Sequence, residues 1–157
     1  MKILLLVIGK TDDEYLVTGI KKYVDRLGHY ASFEMKELPD PRNRKTLSEE
    51  QQKKAESVLL MQQLQPADQV ILLDENGKQF TSVAFAENLE KQLASGAKRL
   101  VFVIGGPYGF AQEIYDCANA KMSLSPMTFS HQMVRLIFVE QLYRAFTILK
   151  GEPYHHQ

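Results

Sequence analysis

The sequence predicts a single α/β domain, an open and mostly parallel sheet with helices on both faces. Three observations carry that expectation. The runs KILLLVI at residues 2–8, QVILLD at 69–74 and RLVFVI at 99–104 are nearly all apolar, and unbroken hydrophobicity marks strands covered on both faces. The segments between them place apolar residues at three- and four-residue steps, the order of parallel strands joined by helical crossovers. The chain has 157 residues, enough for one core that buries about two-thirds of the unfolded surface and too few for two ordinary domains.

Taken in order, residues 2–8 form a strand ended by Gly9. Asp12 or Asp13 can cap the helix that follows, whose Leu16, Ile20, Tyr23, Val24 and Leu27 share a face and whose stop is Gly28. Residues 32–38 alternate weakly up to Pro39 and read as a second strand. The polar stretch 40–45 carries Arg42, Arg44 and Lys45 without periodicity. It is either a solvated surface loop or a finger that contacts phosphate. A charged amphipathic helix over 47–64 breaks at Pro66, and the strand 69–74 leads into the turn sequence Glu75-Asn76-Gly77. A helix at 83–93 stops before Gly96, and the strand 99–104 opens straight into Gly-Gly-Pro-Tyr-Gly. A short helix at 111–118, a short strand around Met122-Ser123-Leu124 and a long helix from about 131 to 149 complete the chain.

Composition removes several function classes. Hydrophobic residues at 45% and charged residues at 24% describe a globular domain rather than a disordered tail or fibre. The longest apolar run, 3–8, falls far short of the ~18–20 residues that cross a bilayer, so neither a membrane span nor a signal peptide is expected. A single cysteine, Cys117, leaves no disulfide framework and no cysteine-based zinc site. It reads as a buried small hydrophobe, and the cytoplasm is the expected location. Nineteen Lys and Arg balance nineteen Asp and Glu, which excludes a general positive field as the means of holding nucleic acid. A large preformed RNA surface, or a dimer that gathers dispersed cations, removes that objection.

Ligands of such sheets bind beyond the carboxyl ends of the strands. Three loops there are chemically unusual: those after Leu73-Asp74, Ile104-Gly105 and Leu124-Ser125. The loop 105–109 has three glycines in five positions, suited either to a tight turn or to close approach of backbone and ligand. It matches neither GxGxxG nor a Walker A motif. The segment Ser-Leu-Ser-Pro-Met-Thr-Phe-Ser-His at 123–131 surrounds Pro126 with hydroxyls. It can serve as an ordinary helix entry capped by Ser130, or present backbone groups to an adenine edge.

The last helix bears on assembly. Val134, Ile137, Phe138, Ala145, Ile148 and Leu149 form one stripe, which Met133, Leu136, Val139, Leu142 and Phe146 widen well beyond the ~100° of a helix packed on one side. A second partner is expected, and an isologous homodimer is the simplest. Glu140 and Arg144 stand at the spacing of an ordinary surface ion pair, whereas Arg135 and Arg144 are unusual on so apolar a helix. The end Gly-Glu-Pro-Tyr-His-His-Gln carries an aromatic and two adjacent histidines. Nothing there is spaced to complete a metal site, and no metal is expected.

Five ordered motifs together resemble one family: Leu73-Asp74, Phe-Val-Ile-Gly-Gly-Pro-Tyr-Gly at 102–109, Ser-Leu-Ser-Pro-Met-Thr-Phe-Ser-His at 123–131, Glu-Gln-Leu-Tyr-Arg at 140–144 and the terminal Pro-Tyr-His. They are similar to the RlmH family of SPOUT-class methyltransferases over the whole length, including Gly9-Lys10. The resemblance implies a homodimer with a C-terminal trefoil knot that binds S-adenosylmethionine in the knot loops. It also implies methylation at N3 of a pseudouridine in 23S large-subunit ribosomal RNA, on the assembled ribosome. By position, the cofactor would meet Leu73, Asp74, Gly105, Gly106, Ser125, Pro126, Met127, Thr128, Phe129 and Ser130. Arg144, Tyr154 and His155 would face the target base, with His131 as an alternative base. Where the family carries Lys or Arg after the terminal Tyr-His, this chain has His156 and then Gln157. A non-catalytic ribosome-binding or assembly factor, and a flavodoxin-like nucleotide-binding protein, are the competing readings.

Overall fold

The computed structural model describes residues 1–156. Its elements are β1 (Lys2–Ile8), α1 (Glu14–Leu27), β2 (Ser32–Leu38), a 3-10 turn (Arg44–Thr46), α2 (Glu49–Met61), β3 (Gln69–Gln79), α3 (Ser82–Leu93), β4 (Arg99–Ile104), α4 (Gln112–Cys117), β5 (Ala120–Ser123) and α5 (Met133–Leu149). The strands lie in the order β2-β1-β4-β3-β5, and every ladder between them is parallel. All five carboxyl ends therefore share one edge of the sheet.

The apolar runs explain the layers. Along β1, Ile3, Leu5 and Val7 point into one core and Leu4, Leu6 and Ile8 into the other. The first core packs on α1, α3 and α5 through Leu16, Phe85 and Phe138. The second packs on α2 and α4 through Leu60 and Ile114. Phe102 meets Phe138 edge to face at 4.7 Å between ring centroids, and each large side chain so buried stabilises the fold by roughly 1.5–3 kcal/mol. Helices thus cover both faces, as the sequence predicts.

Several expectations need correction. Glu75-Asn76-Gly77 is not a turn, because β3 runs on to Gln79 with a register shift against β5 between Leu73 and Lys78. A Cβ on Gly77 would lie 2.6 Å from the Met122 backbone, so glycine marks a close crossing of strands there. Gly28 is the stop of α1 expected of it, in a right-handed conformation with φ −58°. The final helix begins at Met133, while Ser130 Oγ accepts the Met133 amide at 3.0 Å and does the capping expected of it. Cys117 is half-buried, with Sγ 3.3 Å from Ile114 O and 3.8 Å from Met61 Sδ. On α2 the buried face is partly polar, holding Gln52, Glu56 and Ser57 with Leu60.

Candidate functional site

A cavity of about 280 Å³ opens at the carboxyl edge of the sheet, close to the lower end of the roughly 300–1,000 Å³ of small-ligand clefts. Its floor is apolar, with Leu73 from β3, Ile104 from β4, Met122 from β5 and Val134 from α5. The glycine loop at 105–109 forms one wall and the hydroxyl-rich segment at 123–129 the other. Of the cofactor residues expected from sequence, Leu73, Asp74, Gly105, Gly106, Ser125, Met127, Thr128 and Phe129 line it, and Pro126 and Ser130 do not. Tyr108, Met127 and Phe129 stay exposed at its mouth.

The two walls are shaped locally. Gly109 adopts φ +83° and closes a turn with its amide on Gly106 O at 3.3 Å. Gly106 lies against the buried Glu56, and a Cβ there would stand 2.3 Å from the carboxylate. In the facing wall the hydroxyls serve their own loop. Ser123 Oγ donates to Ser125 O at 2.9 Å, and Ser125 Oγ accepts the Met127 amide at 2.9 Å.

Charge at the rim is arranged by neighbours that sequence reading passed over. Tyr115 donates to Asp74 Oδ2, while Asp74 Oδ1 accepts the Asn76 amide at 2.8 Å. Burial and then Asp74 push the Tyr115 phenol up to about 12, so it remains a donor that orients the carboxylate. Burial also raises the Glu56 carboxyl; Gln52 partly opposes this and Asp40 reinforces it. His131 lines the cavity, and burial, then Arg135, hold its imidazole below the ordinary histidine value. Tyr115 and Glu56 leave little trace in sequence: one polar side chain on a helix face is no signal until the turn it braces is known.

Arg135 answers the anomaly seen on the last helix. It is 1% exposed and donates to Ile8 O at 2.7 Å, Gly9 O at 2.8 Å, Thr11 Oγ1 at 2.8 Å and His131 O at 3.2 Å. The guanidinium thereby ties the start of α5 to the carboxyl end of β1. A buried charge requires this degree of satisfaction.

Arg144, Tyr154 and His155 come together at the far end of α5. Arg144 reaches Glu140 Oε1 through Nε at 3.1 Å and Nη2 at 2.5 Å, Nη1 lies 3.1 Å from His155 Nδ1, and the guanidinium sits 4.8 Å from the Tyr154 ring centre. Tyr154 donates to Glu140 Oε1 at 3.0 Å and stands 3.3 Å from the Tyr23 hydroxyl. Glu140 is therefore the hub of a part-buried cluster and not one half of a simple surface pair. A guanidinium only donates, so His155 Nδ1 accepts and its ring proton rests on Nε2. Burial, then Tyr23 and Glu140, raise the Tyr154 phenol. None of these three residues lines the cavity. Val134 does, and Arg144 lies about 15 Å further along α5. His156 is exposed, and Gln157 falls outside the described residues.

Among the described residues no group of three or more His, Cys, Asp or Glu is placed to hold a metal ion, and no helix is long and apolar enough to cross a membrane. Fold and cavity define an α/β protein with a small-ligand-sized cleft where the middle of β3 meets the ends of β4 and β5, the edge at which ligands of such sheets bind. The family model described as "Predicted SPOUT methyltransferase" matches residues 1–155. Over the full length of both chains, the sequence is 59% identical to ribosomal RNA large subunit methyltransferase H of Parabacteroides distasonis. It is likewise 59% identical to the protein of that name from Flavobacterium johnsoniae, and 55% to that from Bacteroides fragilis. The chain belongs to the SPOUT methyltransferase family.

Proposed function

We propose that the protein transfers a methyl group from S-adenosylmethionine to N3 of a pseudouridine in 23S large-subunit ribosomal RNA, with the assembled ribosome as substrate and a homodimer as the working unit. One observation carries this reading: loops distant in sequence, 105–109 and 123–129, wall a single cavity. It suits this cofactor through its apolar floor, a glycine wall whose Gly105 and Gly106 are packed closely by Phe110 and Glu56, and a carboxylate at the rim held by Tyr115. Leu73, Asp74, Gly105, Gly106, Ser125, Met127, Thr128 and Phe129, which line the cavity, would hold it, with Pro126 and Ser130 supporting the loop that carries them. When bound, S-adenosylmethionine supplies an electrophilic methyl group on a sulfonium.

The chain's own task is to orient the acceptor and handle its proton. Positioning alone can contribute about 7–11 kcal/mol to such a displacement. N3 of pseudouridine is protonated at neutral pH, and its loss spreads negative charge over O2 and O4. His155 takes or relays this proton, Arg144 turns from the imidazole to the developing anion, and Tyr154 stacks on or orients the base. Because this cluster is remote from the cavity of its own chain, it acts on the cavity of the partner protomer. Half-buried Ile137 and Ile148 on α5 supply an apolar face for that dimer. His131 is the second candidate base, favoured by its place in the cavity wall and its lowered pKa.

The test is transfer of labelled methyl from S-adenosylmethionine to ribosomes carrying or lacking the pseudouridine. Label is expected only on the former, and equal label on both refutes the specificity. With Arg144→Ala or His155→Ala, turnover is expected to be lost while calorimetry still registers cofactor binding. Wild-type turnover in both variants would overturn their assignment.

A further inference from the structure

We propose that Lys10, Arg42, Arg44 and Lys45, in the loops after β1 and β2, form the face that grips phosphates of the RNA strand beside the methylated nucleotide. The proposal rests on the function proposed above and adds where the RNA backbone lies. Because the sheet is parallel, these two loops leave from the same edge as the cavity loops. They are also tethered to the cavity wall. Arg44 Nη1 lies 3.2 Å from Asp40 Oδ1, and the Asp40 carboxylate packs against Gly9, 3.0 Å from where a Cβ would stand. Gln132, next to the cavity residue His131, donates to Lys10 O at 3.0 Å and accepts the Asp12 amide at 2.9 Å. The Arg44 charge is felt both by His131 and by Glu56, which lies against Gly106.

The finger is preformed. Asn43 takes a left-handed φ of 58°, and the Thr46 amide and hydroxyl both donate to Asn43 O at 2.9 Å, which closes the 3-10 turn. All four cations are exposed. Of these four, Arg44 alone enters an ion pair among the described residues, with Asp40, which is itself exposed. Asp12 and Asp13 sit at the start of α1, where they complement the positive end of that helix. Since the whole chain has zero formal charge, three cations within residues 42–45 are a local concentration at the cavity edge. They are exposed at the surface and do not line the cavity itself. That arrangement fits a polyanionic strand held phosphate by phosphate.

The experiment measures the salt dependence of binding to large ribosomal subunits that lack the methyl group. Each lost phosphate contact lowers the slope of log affinity against log salt by about 0.7–0.9, so Arg42→Ala/Lys45→Ala is expected to lower it by about 1.4–1.8 and to raise KM for the subunit. Its affinity for S-adenosylmethionine stays at the wild-type value. Lys91→Ala/Lys98→Ala removes the same charge at the opposite edge of the sheet and is expected to leave the slope unchanged. A wild-type slope in the first variant, or an equal fall in both, overturns the proposal. Subunit binding is read without turnover, so absence of methyl transfer in the wild-type protein counts against the proposed reaction alone.

Discussion

Gly106 and Glu56 set a steric limit at the cavity wall. A methyl group at position 106 would meet the Glu56 carboxylate, and overpacking of that kind costs about 1–3 kcal/mol. Gly106→Ala is therefore expected to push the Glu56 carboxylate aside, shift the 105–109 wall and lower S-adenosylmethionine affinity in calorimetry. Truncating Glu56 opens the space, so Glu56→Ala/Gly106→Ala should bind more tightly than Gly106→Ala alone. Additive losses in that double-mutant cycle would show that the two positions do not meet. Arg135 has a different consequence. Its removal leaves the carbonyls of Ile8 and Gly9 without their buried donor, and each buried acceptor so orphaned costs about 1–3 kcal/mol. Urea unfolding of Arg135→Met should show that loss, and a midpoint within error of wild type would contradict it.

Strand β4 is anchored at its amino end by Arg99. Its Nε and Nη2 meet the two Asp68 oxygens at 2.8 and 2.7 Å, and Nη2 also donates to Gln63 O at 2.8 Å. Burial pushes the Asp68 carboxyl up, but Arg99 and the Gln65 amide outweigh it and hold the group below the usual carboxylate range. A carboxyl depressed in the folded state stabilises the protein above its unfolded pKa, near ~4, and that contribution fades as pH falls through the lower folded value. Wild type should therefore lose stability below about pH 4 more steeply than Asp68→Asn, which has no carboxyl to titrate. Parallel acid melts of the two proteins would argue against the pair. The same scale shows why 75–77 misleads as a turn. Asp, Asn and Gly favour turns locally, but the close crossing with Met122 of β5 keeps the chain in β3.

Assembly is decided at the scale of the whole molecule. If the Arg144 cluster of one protomer serves the cavity of its partner, two variants can complement each other when S-adenosylmethionine is held too low to load Gly106→Ala. Random mixing of Gly106→Ala and Arg144→Ala protomers should restore about a quarter of wild-type methyl transfer, from the one intact site in each mixed dimer. No recovery would place cluster and cavity within one chain. If α5 carries the proposed dimer contact, Ile137→Asp is expected to shift the protein from dimer to monomer in analytical ultracentrifugation and to remove transfer.

The class of the fold and the two loops of the cavity were legible in the chain itself. Continuous apolar strands, helical spacing between them, and the segments 105–109 and 123–131 follow from local residue chemistry, which sequence periodicity records directly. The knot implied by the resemblance is a property of chain path that periodicity does not encode. Tertiary structure alone decided that Arg135 is buried against the end of β1, that Glu56 braces Gly106, and that Arg144, Tyr154 and His155 gather away from the cavity. Each of those facts depends on which distant segments meet. A side chain's burial, charge and partners are set by neighbours that the linear order of residues leaves far apart.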